Sequence, residues 1–325
     1  MPSKRQRRRL RKLAAAVGAP SGPAVSSSRR ILEPFLDEEQ AGGGVNNEAT
    51  VLRVLGSHRS IRSYQPDAPV SDEAIERALA AATAGSSSGN MQTWSVVVSR
   101  EESARRRLWE LHSQQDFILE APVCLTFCTD WHRMVRWTRL RGGKPGYDNM
   151  LAWVTSRDDA VIAAQNSAVA LEAMGLGICY MGTTVWSMDG IADALGLPEG
   201  VTAVTSMVVG VPAEDPPLRD RLPLIDSPGS SGIVHTEKYR SPSDAELLSF
   251  YEERETAGWE RYAGRGGGEW EAKMAENGVR NLAQFCESAN PKPPPFPAHP
   301  WPLESSDCRL PGSCQLVSPL EVLLG

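Results

Sequence analysis

The chain has 325 residues and a mass of 35.3 kDa, 41% hydrophobic and 23% charged, with 34 Lys+Arg against 40 Asp+Glu. The net charge of −6 hides a split: nine basic side chains precede the first acid, Glu33, so residues 33–325 hold 25 basic against 40 acidic groups, near −15. A body that acidic argues against a nucleic-acid partner, no apolar run approaches the roughly 18–20 residues of a membrane span, and six cysteines without a CxxC pair argue against a disulfide framework or a zinc site.

Residues 1–48 are basic and then Ser/Gly-rich, and read as a disordered arm; residues 290–325 are Pro-rich and read as a disordered tail. Residues 49–289 carry the pattern of one domain. Ser71 is a good N-cap, followed by Asp72 and Glu73 and a stripe of Ile75, Ala78, Leu79 and Ala82, which predicts a helix over 72–84. Trp94 to Val98 reads as a strand, 101–113 as a charged helix and Val123 to Cys128 as a buried strand. Asp130 to Ser156 reads as irregular. From Asp158 to Met174 the chain is apolar over most of its circumference, a helix buried on nearly all sides, either centrally or in a subunit interface, with Gly175 in a left-handed cap. A strand Ile178 to Met181, a short helix from Ser187 and Asp189 to Leu195, a buried strand Ala203 to Val209, and helices over Asp244 to Glu255 and Glu269 to Ser288 complete the pattern. Alternating helix and strand first suggests a doubly wound parallel sheet, although no Gly-x-Gly-x-x-Gly turn supports one.

Four segments could carry chemistry. Ser57-His58-Arg59-Ser60-Ile61-Arg62-Ser63-Tyr64 offers two arginines and interleaved hydroxyls, which can converge on a phosphate or form a solvated basic patch. Gly85-Ser86-Ser87-Ser88-Gly89-Asn90-Met91-Gln92-Thr93-Trp94 lets backbone approach a planar ligand, and its carboxamides suit a heterocycle edge with both C=O and N–H; a plain Gly/Ser loop is the alternative. Gly175 to Thr184 ends a strand in Gly182-Thr183-Thr184, where backbone N–H groups could meet a ligand. Asp215-Pro216-Pro217-Leu218-Arg219-Asp220-Arg221 presents a second arginine pair.

In this order the four segments resemble the nitroreductase family of FMN proteins, and Ala164-Gln165-Asn166 to Gly182 with Leu218-Arg219-Asp220-Arg221-Leu222-Pro223 is similar to the branch of oxygen-insensitive bacterial nitroreductases and NADPH-flavin oxidoreductases. The resemblance runs from about Glu48 to Ser288. It implies an α+β fold with a mixed, largely antiparallel sheet wrapped by helices, a homodimer with FMN at the interface, and burial of the apolar helix in the dimer core, which displaces the doubly wound guess. It implies that His58, Arg59, Ser60, Arg62, Arg219 and Arg221 hold the phosphate and ribityl chain. Ser86, Ser87, Asn90 and Gln92 would line the ribityl and pyrimidine side, the backbone of Met181, Gly182 and Thr183 would face the isoalloxazine, and Gln115 is a looser match. NADPH, or NADH, would reduce the flavin in a ping-pong cycle ending on a nitroaromatic, quinone or flavin, with no catalytic side chain required.

Two departures stand out. Relatives commonly carry Gly-Gly where this chain has Gly182-Thr183, so a side chain could narrow the pocket. Arg261 and Arg265 lie in a Gly-rich stretch where relatives bind the NADPH 2′-phosphate, which favours NADPH. The stretch Trp131 to Trp153 takes the place of a pocket lid. Alternatives are a specialised flavin dehydrogenase or dehalogenase of the same fold, or a non-catalytic protein retaining it. A cytoplasmic location is expected, or an organellar or nuclear one if the basic arm is a targeting signal.

Overall fold

The computed structural model describes residues 47–146, 149–219, 221–222, 233–255 and 276. In chain order the elements are α1 (Asn47–Gly56), α2 (Asp72–Thr83), β1 (Trp94–Ser99), α3 (Glu102–Leu111), α4 (Phe117–Glu120), β2 (Val123–Asp130), α5 (His132–Leu140), α6 (Met150–Ala173), β3 (Gly177–Met181), α7 (Met188–Leu195), β4 (Val201–Gly210) and α8 (Asp244–Glu255). One-turn 3-10 helices sit at Ser88–Asn90 and Gly182–Trp186. The expected arm and tail, the helix over 269–288, and Arg261 and Arg265 lie outside the described residues.

The four strands form one sheet in the order β1-β2-β4-β3, and every neighbouring pair is antiparallel. The doubly wound parallel guess is therefore wrong. Alternation of helix and strand is equally produced by antiparallel neighbours joined through surface helices, and the pattern alone carries no strand direction. The α+β architecture is the one present.

Side-chain alternation along β2 explains how the sheet holds two cores. Val123, Leu125 and Phe127 face α2 and α6, joining Ile75, Ala78, Ala82, Ala163, Ala164, Ala168 and Leu171. Cys124 faces the opposite layer with Leu108, Phe117, Ile118 and Ile191 of α3, α4 and α7. With both faces covered, every residue of β2 is buried. Burial also pushes the thiols of Cys124 and Cys128 up to about 12, which leaves them as inert core groups.

Helix α6 corrects the expected start at Asp158. It begins at Met150, where the Asn149 side chain accepts from the N–H groups of Leu151 and Ala152, so the supposedly irregular stretch holds α5 and the first turns of α6. The carboxylates at 158–159 mislead as a start signal: Asp158 is exposed beside Arg157, while Asp159 is buried and bonded elsewhere. Within one protomer α6 is not covered all round. Its small residues Ala152, Ser156, Ala160, Ala163, Ala164, Ser167 and Ala168 let it lie close on the sheet and α2, but Leu151, Val154, Val161 and Ile162 form an exposed apolar stripe at helical spacing. The helix stops where expected: Gly175 has φ +79°, and Leu176 N–H returns to the Leu171 carbonyl at 3.0 Å. No described helix is long and apolar enough to cross a membrane.

Candidate active site

The predicted residues gather at two places. The first is the outer edge of β3. Residues 59–65 run along it as a strap: Ser60 makes a parallel bridge with Ile178, Ile61 N–H donates to the Ile178 carbonyl at 2.9 Å, and Gln65 N–H to the Val211 carbonyl at 2.9 Å beyond β4. The buried Tyr64 hydroxyl closes the strap on the Ile61 carbonyl at 2.8 Å, and glycine at 177 and 210 permits the approach. A Cβ at Gly177 would stand 2.8 Å from Ile61 Cγ1, and one at Gly210 would stand 2.5 Å from Tyr64 Cδ1. Burial, with Cys179 adding to it, raises the Tyr64 phenol, which stays protonated.

This strap brings the first and fourth motifs together. Arg59 pairs with Asp215, and Arg62 N–H donates to Glu214 Oε1 at 2.5 Å. Arg219 and Arg221 continue the same exposed segment. His58 Nδ1 lies 2.6 Å from Glu172 Oε1 near the end of α6. Arg59 Nε is buried without a hydrogen-bond partner, a donor that a bound anion would satisfy.

At the other end of β3 the chain turns through Gly182–Trp186. Gly182 is exposed, and no atom lies within 4 Å of where a Cβ would stand. Thr183 does not narrow this opening. Its side chain turns inward, 4% exposed, with Oγ1 2.7 Å from His112 Nδ1 and 3.4 Å from Gln115 Nε2. Gln115 Nε2 also donates to the His112 carbonyl at 3.0 Å, so its amide N–H groups face the interior. His112 is fully buried, its Nε2 has no partner, and burial lowers its pKa to about 4, so the ring is neutral at pH 7. Ser113 and Gln114 hold φ of +56° and +52°, conformations that cost side chains energy and that concentrate at functional loops.

The second place is the loop before β1, at the opposite edge of the sheet. Ser86, Ser87, Asn90 and Gln92 lie there, all exposed except Ser87, which is partly buried. Gly89, Asn90 and Gln92 have positive φ, and Gln92 Nε2 donates to Asn90 Oδ1 at 3.0 Å. Asp159 holds this loop. Only 2% exposed, it accepts from Ser88 N–H at 2.8 Å, Thr93 N–H at 3.2 Å and Thr93 Oγ1 at 2.9 Å. Arg133 clamps the other side, donating to the carbonyls of Gln92 at 2.8 Å and Trp94 at 2.6 Å.

Sequence reasoning missed Asp159, His112 and Glu172. Asp159 was the detectable one, since it falls in phase with Ser156 and Ala163 on the buried face of α6, where an acid needs a dedicated partner. Its distance from Glu172 also measures the separation of the two places: thirteen residues of helix at 1.5 Å each, about 20 Å. Of the lid aromatics, Trp131 is buried, Trp153 Nε1 donates to Thr202 Oγ1 at 2.9 Å, and Trp137 is exposed. Among the described residues no His, Cys, Asp or Glu group could hold a metal ion.

The chain is 31% identical over 204 residues to an oxygen-insensitive NADPH nitroreductase of Salmonella typhimurium, covering 62% of this chain and 80% of that protein. It is 30% identical over 195 residues to an FMN reductase (NADPH) of Bacillus subtilis, covering 59% and 76%. The structure of B. megaterium NfrA2 superposes with a TM-score of 0.62 at 27% identity, covering 73% of this chain and 89% of that one. The profile of the nitroreductase family matches residues 55–211, from the end of α1 through the strap and the sheet to the segment beyond β4, and the chain belongs to that family.

Proposed function

We propose that the protein is an FMN-dependent NAD(P)H oxidoreductase, with NADPH the favoured donor and nitroaromatics, quinones or flavins as acceptors, and that it works as a homodimer in which each site draws on both protomers. Relatives named as NADPH nitroreductase and FMN reductase support the activity. The observation that carries the composite site is the 20 Å separation. The strap and the Ser86–Gln92 loop occupy opposite edges of one sheet, too far apart to hold one small ligand within a protomer, while the uncovered stripe of α6 offers an apolar surface for a second copy. A two-fold axis beside that stripe would bring the second protomer's loop to the first protomer's strap.

The residues present fit FMN. Arg59, Ser60 and Arg62, with His58, Arg219 and Arg221, would hold the phosphate, whose charge would replace Asp215 on Arg59 and satisfy the orphaned Nε. Asp215 is free to yield because its side chain is largely exposed. Ser86, Ser87, Asn90 and Gln92 of the second protomer would line the ribityl and pyrimidine side, with Asp159 and Arg133 holding that loop in shape. The backbone of Met181, Gly182 and Thr183 would face the ring system, and the open space at Gly182 leaves room for it. Gln115, a looser candidate for the flavin, would also support the turn through Thr183. When bound, the flavin supplies the hydride-accepting and hydride-donating chemistry. The protein's part is placement and electrostatics, so no general acid or base is needed. Arg261 and Arg265 remain candidates for the NADPH 2′-phosphate, and a cytoplasmic location suits a reducing donor.

The test is direct. The purified protein is expected to be yellow and to release FMN on denaturation, to bleach with NADPH under anaerobic conditions and to recolour on addition of a nitroaromatic. Protein that binds no added FMN would overturn the reading.

A further inference from the structure

Helix α5 carries a group of cations that the flavin site does not use. Between Trp131 and Tyr147 the chain has Arg133, Arg136, Arg139, Arg141 and Lys144 and no acid, in a body with more acid than base. Several arginines elsewhere close on carboxylates, Arg100 on Asp72, Arg106 on Glu102, Arg107 on Glu110 and Arg240 on Glu246, although Arg53 and Arg77 do not among the described residues. Arg133 closes on Asp130. Arg136, Arg139, Arg141 and Lys144 are exposed and meet no carboxylate among the described residues. Arg136 and Arg139 stand three apart on α5 and repel, with Arg141 and Lys144 just past its end adding to the charge, so the arrangement costs stability and is offset by no carboxylate among the described residues. Trp137, 58% exposed, and Leu140, 81% exposed, stand uncovered on the same short helix.

The position of α5 is as specific as its charge. It leaves β2 at the end of the sheet where β1 begins and β3 runs into the Gly182–Trp186 turn. Arg133 ties its first turn to the carbonyls of Gln92 and Trp94, and His132 Nδ1 lies 3.0 Å from the Glu199 carbonyl. The cationic face is thereby fixed beside the loop that carries Asn90 and Gln92.

We propose that this face, Arg136, Arg139, Arg141 and Lys144 with Trp137 among them, binds the phosphates of the dinucleotide hydride donor, with the Trp137 indole against its adenine. The inference rests on the oxidoreductase reading and adds to it a donor site apart from Arg261 and Arg265. A nicotinamide dinucleotide is a polyanion with a flat purine, which matches arginine forks around an exposed indole. Nitroaromatics and quinones are uncharged and gain nothing from these cations. On an acidic body, a local positive field also raises the encounter rate with an anion in a salt-dependent way.

The test uses the full chain loaded with FMN and the variant Arg136→Gln/Arg139→Gln/Arg141→Gln, with Arg106→Gln/Arg107→Gln on α3 as a control for surface charge. The triple variant is expected to keep its FMN, to raise KM for NADPH about tenfold or more with kcat and the KM for an uncharged quinone little changed, and to flatten the salt dependence of kcat/KM. The control should match the wild type. Calorimetry with 2′,5′-ADP reads the same face without turnover, and its Kd should rise in parallel. A variant whose NADPH KM and 2′,5′-ADP Kd stay within twofold of the wild type overturns the inference, as does a loss confined to free FMN as acceptor. A wild type that binds 2′,5′-ADP through α5 but does not oxidise NADPH would refute the oxidoreductase reading, and with it the donor role, while still showing α5 to be a nucleotide-phosphate face.

Discussion

His112→Phe probes the buried contact behind the Gly182–Trp186 turn. In the wild type the imidazole is fully buried, one nitrogen meets Thr183 Oγ1 at 2.7 Å and the other has no partner. At pH 7 the phenyl ring forfeits one hydrogen bond, about 1 kcal/mol, and removes an orphaned polar atom that costs about 1–3 kcal/mol, so the two proteins should lie within about 1 kcal/mol of each other. The difference appears on acidification. Burial lowers the His112 pKa from 6.5 to about 4. Because the folded value lies below the unfolded one, its contribution is intact above pH 6.5 and is lost as pH falls toward 4, where the unfolded chain takes up a proton that the folded protein refuses. Between pH 7 and pH 5 the loss amounts to roughly 2 kcal/mol, and the phenylalanine variant escapes it. Urea unfolding of both proteins at pH 7 and pH 5, at one protomer concentration and followed by far-ultraviolet circular dichroism, measures this. A wild-type-to-variant difference that is the same at both pH values would refute the argument that the buried ring is kept neutral.

Asp159→Ala removes three hydrogen bonds at once. The Thr93 N–H lies in a fully buried residue and finds no water in exchange, so a loss of about 2–4 kcal/mol is expected, seen as a melting temperature lower by about 5–15 °C with weaker FMN retention; unchanged melting would show that the loop holds itself. Gly210→Ala drives a Cβ to 2.5 Å from the Tyr64 ring, and calorimetric melting should show about 1–3 kcal/mol of destabilisation together with poorer flavin binding as the strap is displaced. Gly182→Ala is the contrast: the apoprotein has open space there, so its melting temperature should hold while the FMN Kd rises, and an unaltered Kd would remove the turn from the flavin site. Mixing protomers tests the composite site. A dimer of Arg59→Ala/Arg62→Ala with Asn90→Ala/Gln92→Ala keeps one site intact if each site spans two protomers and none if each lies within one, so recovery of half the FMN in the mixed species decides between them.

Local signals in the sequence specified local structure well. Ser71 caps α2 because its hydroxyl accepts from Ala74 N–H, and Gly175 ends α6 because only the left-handed region turns the chain into β3 there; both depend on neighbours a few residues away. The four motifs are local in the same way: their residue types are the ground for proposing a phosphate, a planar heterocycle and an open turn. What fails to show in sequence is whatever depends on residues far along the chain. Asp159 looked like a helix start because its partners, Ser88 and Thr93, come from another element, and Thr183 looked like a pocket wall because nothing nearby in sequence says that His112 and Gln115 wait beneath it. Strand direction, too, is decided by which edges find each other. The sequence by itself determined the charge split, the caps and the residue types of each motif, since these are properties of short segments. Only the tertiary structure decided that the strap and the Ser86–Gln92 loop stand on opposite edges of an antiparallel sheet, because burial of one face of α6 across all four strands sets the 20 Å between them and leaves its other face uncovered.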